Sequence, residues 1–337
     1  MKKIKVGIAG VGRLGKVHAQ NLAFKIPNAE LTAACSIMPA ELEYAKKELG
    51  ITDVYTDYRE MLAKADIDAV AIVTTSSEHC WQIEAALDAG KHVFSDKPLG
   101  VNVEECKMAE AAVERHPDKV FFLGFMRRYD ASYAYAKKKI QAGAIGKPYM
   151  VKCTGIDPEA LVDGSIKFAA TSGGIFIDMA VHDIDLMRWF LEDEPSEIYA
   201  LGTTFKHPEF QAVGDDETGV ATYKFKNGGI GFIHVGRTAP HGYHVETEIV
   251  GTEGSIRISP VPEKNLAVLY DGNGVVTECV ESFPERFREA YLFEMQEFID
   301  CICEDRKPDI TVYDGTRGTE IAFATTEAWK SGKVVTL

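Results

Sequence analysis

The polar residues with the clearest chemical spacing are Asp178, His182 and Asp185. Apolar residues between them predict one helix over residues 173–191, which would place all three side chains on one face. A carboxylate one turn before an imidazole can hold the ring in one orientation and raise its basicity. A buried helix with a purely structural Asp–His pair has the same spacing, so both interpretations stand. Gly173 and Gly174 would let the backbone come close to another group, for example a ligand.

A second chemical motif lies near the N-terminus, where Gly10, Gly12 and Gly15 follow a predicted strand at residues 4–9. A helix is predicted at residues 14–24. This order of strand, glycine loop and helix predicts a dinucleotide-binding turn. The helix N-terminus would supply N–H donors and a positive dipole to the phosphates.

Strands and helices then alternate, with further strands predicted at residues 31–36, 69–74, 92–95 and 120–125. This pattern predicts an α/β Rossmann domain, a doubly wound parallel sheet with helices on both faces. Ligands of such sheets lie at the carboxyl ends of the strands. The cofactor-binding residues expected there are Gly10, Gly12, Arg13, Leu14, Ser36, Thr74, Thr75, Ser76, His79, Asp96, Lys97 and Met126.

The carboxyl ends of the parallel strands form one rim of the sheet. Two segments of this rim carry groups that could act on a substrate. Lys97 stands between Asp96 and Pro98, and the proline keeps it extended and permits a cis peptide bond. Lys97 could reach a nicotinamide ribose and a substrate hydroxyl, or form a plain surface pair with Asp96. Arg127 could bind a substrate oxygen or belong to an ordinary basic turn. His79 could touch the cofactor or serve as a helix cap.

The pattern changes after residue 124, which predicts a first domain at residues 1–124 and a second at residues 125–337. Strands are predicted at residues 149–156, 198–204, 219–225, 229–236 and 243–250. They indicate an α+β domain with a large, mostly antiparallel open sheet, covered on one face by the helix at 173–191. The other face, with Val220 and Tyr223 or their neighbours, should need a partner. A cleft between the directly joined domains is the expected ligand site.

Composition narrows the possible functions. The chain has 337 residues and a formal net charge of −14, which argues against nucleic-acid or anionic-membrane partners. We find no apolar run long enough to span a membrane. The N-terminal residues predict a strand and not a secretion signal. Seven scattered cysteines indicate reduced thiols and a cytoplasmic protein, and they offer no zinc-site spacing.

Several motifs together resemble the Gfo/Idh/MocA oxidoreductase family over essentially the whole chain. They are the glycine loop, Asp96-Lys97-Pro98, residues 126–130, residues 173–189, and Gly242-Tyr243 ahead of residues 248–254. Residues 125–130 and 241–250 look most like the family's inositol dehydrogenases. The resemblance implies oxidation of a cyclitol hydroxyl with hydride transfer to NAD or NADP, in a homotetramer.

The resemblance also implies a role for each site residue. His182 would be the general base, Asp178 would orient it, and Lys97 would hydrogen-bond the reacting oxygen. The implied contacts to the other hydroxyls are Arg127, Asp157 and Tyr243. A dehydrogenase of an aldose or keto-sugar remains an alternative, as does a nucleotide-binding sensor without turnover. A sensor would need none of the three catalytic residues, which argues against it.

Two positions depart from the family pattern. Asp96 stands where the family usually has glutamate, which shortens one carboxylate. Ser36 stands where NAD-specific turns usually place an acid that binds the ribose 2′-hydroxyl. Arg13 is the only cation near enough in sequence to touch a 2′-phosphate, and it could equally face the pyrophosphate or solvent. We therefore expect NAD to be used, with some tolerance of NADP.

Overall fold

The computed structural model describes residues 3–259, 263–272 and 274–337, apart from the side chains of residues 170 and 171. The chain divides into two compact units. The first unit comprises Met1–Tyr129 and Glu289–Thr319, and the second comprises Asp130–Arg288 and Glu320–Leu337. A single boundary after residue 124 does not anticipate the return of Glu289–Thr319 to the first unit.

The first unit alternates strands and helices as predicted. Its strands are β1 Ile4–Ala9, β2 Ala29–Cys35, β3 Asp53–Tyr55, β4 Ala69–Ile72, β5 His92–Asp96 and β6 Phe121–Gly124. The helices between them are α1 Arg13–Phe24, α2 Pro39–Leu49, α3 Tyr58–Lys64, α4 His79–Asp88 and α5 Val103–Arg115. All the strands are parallel, in the order β3-β2-β1-β4-β5-β6. This confirms the predicted doubly wound sheet.

A late segment of the chain completes the core of this unit. Phe298 is fully buried and packs its ring 5.9 Å from Phe94 and 6.0 Å from Phe122. Met295 and Ile299 on the same helix are also fully buried in this core. Burying one such side chain contributes roughly 1.5–3 kcal/mol, so this apolar face explains why the segment packs here.

The second unit combines helices with a large sheet. The helices of this part of the chain are α6 Ala131–Gln141, α7 Val162–Ser172, α8 Ile175–Asp178, α9 Val181–Leu191, α10 Glu209–Ala212, α11 Phe283–Arg286, α12 Arg288–Cys303 and α13 Val312–Ser331. Of these, α12 lies almost wholly in the first unit, and α13 runs from the first unit into the second. The strands are β7 Pro148–Pro158, β8 Pro195–Thr203, β9 Thr218–Phe225, β10 Ile230–Ala239, β11 His244–Gly251, β12 Ser255–Ile258, β13 Glu263–Asp271, β14 Gly274–Cys279 and β15 Val335–Thr336.

Seven of these strands form one sheet in the order β12-β11-β7-β10-β9-β8-β15. Strands β7 and β10 run parallel and the other neighbours antiparallel, which confirms a mostly antiparallel sheet. Strands β13 and β14 pair separately as a hairpin. Tyr223 is buried and hydrogen-bonded to Thr325 of α13 at 3.0 Å, so its assignment to the uncovered face is wrong. Side chains alternate along a strand, so Val220 and Tyr223 cannot share a face.

Candidate functional site

The glycine loop joins the end of β1 to the start of α1, which begins with Arg13 and Leu14. Gly10 has φ +85°, and a Cβ there would lie 2.4 Å from the carbonyl oxygen of Val73. A Cβ on Gly15 would lie 2.2 Å from the carbonyl oxygen of Gly10. Neither contact is possible, so both positions require glycine. No described side chain caps α1, and the start of a helix is suited to bind an anion such as a pyrophosphate.

Ser36 follows β2 and lies beside the glycine loop, as predicted, but its hydroxyl is already engaged. It donates to the Glu41 carboxylate at 2.7 Å and accepts from the Met38 N–H at 3.0 Å. Glu41 also accepts from the Val11 N–H of the loop at 3.0 Å. The sequence did not identify this carboxylate, because it comes from α2 and not from the end of the strand.

The segment after β4 is tied to the segment after β5 by one histidine. His79 contacts the Pro98 carbonyl through Nδ1 at 2.8 Å and the Thr74 carbonyl through Nε2 at 3.3 Å. Burial lowers the pKa of His79, so the neutral ring donates its one hydrogen to one of these oxygens. Thr75 precedes the short helical turn Ser76–Glu78, which leads from β4 into α4. His79 therefore holds two rim segments together, and its contact with a cofactor stays a prediction.

The catalytic motif predicted at β5 has the expected backbone. Asp96 is the last residue of the strand, and the peptide bond between Lys97 and Pro98 is cis. Lys97 is partly exposed at the carboxyl end of the sheet. Burial raises the pKa of Asp96 to about 6, and the positive charge of Lys97 acts against that rise. Lys97 therefore lies at the rim, and the carboxylate of Asp96 precedes it directly in the chain.

A buried polar cluster lies next to Asp96. His18 of α1 and Glu294 of α12 have completely buried side chains, with Nε2 and Oε1 3.8 Å apart. A Cβ on Gly124 would lie 3.4 Å from a carboxylate oxygen of Glu294 and equally far from one of Asp96. Burial lowers the pKa of His18 to about 3, and burial and Asp96 raise that of Glu294 far above its usual value. The physical expectation is a neutral imidazole beside a protonated carboxylic acid.

The last rim segment is the helical turn Met126–Tyr129 after β6. Met126 and Arg127 are 3 % and 4 % exposed, so both side chains are buried, and the contact of Arg127 with a substrate stays a prediction. Arg128 pairs with Asp314 at 3.4 Å within the same unit. A guanidinium held in a buried position is oriented well enough to recognise one oxygen of a ligand.

In the second unit, the predicted helix over residues 173–191 is wrong as one element, because α8 and α9 are separated at Met179 and Ala180. The N–H of Ala180 bonds to the carbonyl of Ile175, five residues back, at 3.4 Å. The backbone is therefore wound more loosely between Asp178 and His182. Their spacing alone does not put both side chains on one face.

Asp178 is held by a cation that the sequence did not identify. Two nitrogens of Arg237 lie 3.3 Å from Asp178 Oδ2, and one of them lies 3.6 Å from Asp215 Oδ2. Asp215 Oδ1 in turn accepts from the N–H of Ile175, the first residue of α8, at 2.9 Å. The side chains of Arg237 and Asp215 are each 1 % exposed. This chain of contacts fixes both the start of α8 and the carboxylate at its end.

The glycines before α8 fit this arrangement. Gly173 and Gly174 both have positive φ, +85° and +93°. A Cβ on Gly174 would lie only 3.2 Å from the Asp215 carboxylate. The close approach that the sequence predicted here is thus an approach to a buried side chain of the same unit.

The predicted substrate residues of this unit, Asp157 and Tyr243, lie at the same end of neighbouring strands of its sheet. Asp157 is near the carboxyl end of β7, Arg237 is near the carboxyl end of β10, and these two strands are parallel. Tyr243 immediately precedes β11, whose first residue, His244, pairs with Ile156 of β7. His182 lies in the first turn of α9 and is 8 % exposed. Asp185 on the same helix is 1 % exposed.

Several buried polar residues were not predicted, although the sequence contains patterns that indicate them. Asp215, Asp216 and Glu217 are consecutive acids, each less than a tenth exposed. Asp216 accepts from Thr204 Oγ1 at 2.7 Å, while Glu217 accepts from the N–H groups of residues 205–207. A run of acids before an apolar strand, and an arginine inside another such strand, both indicate buried polar partners.

The described residues contain no group of three or more His, Cys, Asp or Glu side chains that could hold a metal ion. The same residues include no helix long and apolar enough to cross a membrane.

The first unit fits a dinucleotide. It has a glycine loop that excludes side chains, a helix start without a capping side chain, and a carboxylate at the loop.

Comparison with known proteins agrees with this geometry. Residues 4–125 match the family model of oxidoreductases with an NAD-binding Rossmann fold, and residues 133–257 match the Gfo/Idh/MocA C-terminal domain. The scyllo-inositol 2-dehydrogenase (NAD⁺) of Bacillus subtilis strain 168 is 35 % identical over 99 % of this chain and 96 % of its own.

Two solved structures are similar over their full length. Scyllo-inositol dehydrogenase from Lactobacillus casei, with bound NAD(H) and scyllo-inositol, is 45 % identical with a TM-score of 0.97, covering 99 % of each chain. Myo-inositol 2-dehydrogenase from Lactobacillus plantarum is 40 % identical with a TM-score of 0.98, covering 100 % of each chain. The chain therefore belongs to the Gfo/Idh/MocA family of NAD-binding oxidoreductases.

Proposed function

We propose that this protein oxidises a secondary hydroxyl of scyllo-inositol or myo-inositol to the ketone. Relatives with these activities match the whole chain at 35–45 % identity. One observation in this chain supports the proposal best. Polar side chains gather where neighbouring strands of the large sheet end, namely Asp157, Tyr243 and the Arg237–Asp178 pair. Cyclitols carry a hydroxyl on each ring carbon and need polar groups on several sides.

The chain's own residues move the proton and stabilise charge. His182 takes the proton of the reacting hydroxyl as general base, and Asp178 stabilises the resulting imidazolium. Lys97 donates a hydrogen bond to the same oxygen and stabilises the negative charge that develops on it. NAD, when bound, accepts the hydride at its nicotinamide ring.

Arg237 holds the carboxylate of Asp178 in position for this chemistry. Its guanidinium is enclosed, so it acts through Asp178 and Asp215 and not by contact with substrate. Because Asp215 also fixes the first N–H of α8, the carboxylate of Asp178 has a defined position before substrate arrives. A site that is organised in advance needs less reorganisation during the reaction.

Substrate selection is assigned to Arg127, Asp157 and Tyr243. Tyr243 is 6 % exposed, with its N–H bonded to the Val280 carbonyl at 2.7 Å, so its backbone position is fixed. A site that pairs each ring hydroxyl rejects an epimer strongly, because the mismatched hydroxyl leaves a buried polar group unpaired.

We further propose that the protein is a cytoplasmic homotetramer. All seven cysteines lie outside disulfide bonds, which suits a reducing compartment. The sheet face opposite the helices exposes apolar side chains, namely Tyr199, Leu201 and Ile230. The hairpin of β13 and β14 adds Leu266 at 94 % and Tyr270 at 75 % exposure. Apolar surface of this extent favours association, and light scattering that finds a monomer would contradict the proposal.

The function is tested by a substrate screen that follows the absorbance of reduced nicotinamide. Scyllo-inositol, myo-inositol, glucose and xylose are compared, each with NAD, using the Lys97→Met protein as the control for background reduction. We expect the inositols to give the highest kcat/KM. Higher values with glucose or xylose would favour a sugar dehydrogenase, and NAD binding without turnover on any polyol would favour a sensor.

A further inference from the structure

The carboxylate of Glu41 occupies an unusual place for a residue of α2. It is the third residue of that helix, yet its side chain turns back to the end of β1. Oxygen Oε2 accepts from the Val11 N–H at 3.0 Å and from the Ser36 hydroxyl at 2.7 Å. Oxygen Oε1 lies 3.4 Å from the point where a Cβ on Gly12 would stand. The carboxylate therefore lies against the glycine loop itself.

This place lies at the carboxyl ends of β1 and β2, which are adjacent parallel strands paired at Ala9 and Cys35. In dinucleotide-binding sheets, an acid at the end of the second strand binds the adenosine ribose and disfavours a 2′-phosphate. Here that chain position is Ser36, which is 7 % exposed, whereas Glu41 is more open to solvent. The negative charge is present at this location although the expected residue is not.

Ser36 positions that charge and has little capacity left for a ligand. Its hydroxyl hydrogen goes to Glu41, and its oxygen accepts from the Met38 N–H at 3.0 Å. A carboxylate has about four acceptor sites. Glu41 uses two of them at Oε2 in these contacts and can accept from a ribose hydroxyl as well. The neighbouring Ile37 and Met38 are 84 % and 54 % exposed and give this edge an apolar surface.

We infer that Glu41 is the residue that selects NAD over NADP, with Ser36 holding its carboxylate against the glycine loop. The inference rests on the NAD binding of the proposed function and adds the residue that discriminates. It replaces the expectation of NADP tolerance, which assumed that no carboxylate stood near Ser36. A carboxylate accepts from the 2′-hydroxyl of NAD and repels the 2′-phosphate of NADP, so NADPH should bind at least about tenfold more weakly than NADH.

The test is direct calorimetric titration of the protein with NADH and with NADPH, without any inositol. Glu41→Gln keeps the size and an accepting oxygen for Val11 and Ser36 but removes the charge. We expect the ratio of the NADPH to the NADH dissociation constant to fall by about tenfold or more, mainly through tighter NADPH binding. The matched control is Glu43→Gln on the same helix, where Glu43 pairs with Lys46 and Lys47 and should leave the ratio unchanged.

A rescue variant separates the effect of charge from the effect of structure. The double substitution Glu41→Gln with Ser36→Asp returns one carboxylate to the same corner from the other side chain, and should restore the preference for NADH. Thermal melting of each variant without nucleotide checks that α2 and the loop remain folded.

Two results would overturn the inference. One is a wild-type protein that binds NADH and NADPH with similar affinity. The other is a folded Glu41→Gln variant that keeps the wild-type ratio, because Glu41 would then only brace the loop. Failure of the wild type to bind either nucleotide would instead contradict the proposed function, and the inference with it. Because no inositol is present, an error about the substrate cannot produce any of these outcomes.

Discussion

Replacing Arg237 by methionine removes the cation that lies between two carboxylates. Arg237 and Asp215 are each 1 % exposed and Asp178 is 16 % exposed, so water can replace little of the lost interaction. Breaking a buried ion pair by removing one partner costs roughly 3–5 kcal/mol. The contacts of 3.3 and 3.6 Å are longer than ideal charged hydrogen bonds, which favours the lower end, about 3 kcal/mol.

The cost is measured by urea unfolding followed by tryptophan fluorescence, since Trp189 and Trp329 both lie in the second unit. The matched control is Arg257→Met in the same sheet, where Arg257 is 58 % exposed and pairs with Glu246. An exposed pair contributes under about 1 kcal/mol. Arg237→Met should therefore shift the unfolding midpoint much further than the control does.

Kinetics then separate positioning from simple stability. If Arg237 positions Asp178, kcat with scyllo-inositol should fall by roughly tenfold to a hundredfold under conditions where the variant is folded. The KM for NAD should hardly change, because the glycine loop lies in the first unit. Arg237→Lys should recover part of kcat. Wild-type kcat in folded Arg237→Met, or equal loss of stability in both variants, would refute the reasoning.

Two further predictions concern the proton chemistry. His182→Ala should lower kcat by about 10²–10⁴ with unchanged NADH affinity, and retention of a large part of wild-type turnover would place the base elsewhere. Glu294→Gln tests the buried acid beside His18 and Asp96. Burial raises the pKa of Glu294, so the folded state keeps a proton that the unfolded state releases above about pH 4.3, and the contribution of Glu294 to wild-type stability falls as pH rises from there. The variant lacks this loss, so its stability relative to wild type should increase from about pH 5 to about pH 8, by at most about 1.4 kcal/mol per unit. A difference that is constant with pH would show that Glu294 is ionised in the folded protein.

The parts of the site that could be predicted from sequence are those fixed by local chain geometry. The glycine loop follows from residue types within a few positions of one another, and Pro98 permits the cis bond that follows Lys97. The rim of the parallel sheet also follows, because a strand alternating with a helix leaves little choice of topology.

The parts that could not be predicted depend on contacts between distant segments. Glu41 is 30 residues from Val11, and Arg237 is 59 residues from Asp178. Neither pairing is visible in local spacing. The interruption between α8 and α9 has no proline or glycine at Met179 and Ala180 to signal it. The start and end of α8 are instead held by Asp215 and Arg237, which come from distant parts of the chain.

The most direct test of the central claim is the transfer of deuterium from scyllo-inositol labelled at its ring carbons to NAD. The wild-type protein is incubated with both, and the reduced nicotinamide and the ring product are analysed by mass spectrometry and proton NMR. We expect deuterium at C4 of the reduced cofactor, together with a cyclitol ketone. Reduced cofactor without deuterium, or a labelled inositol left unchanged while another alcohol is oxidised, would contradict it.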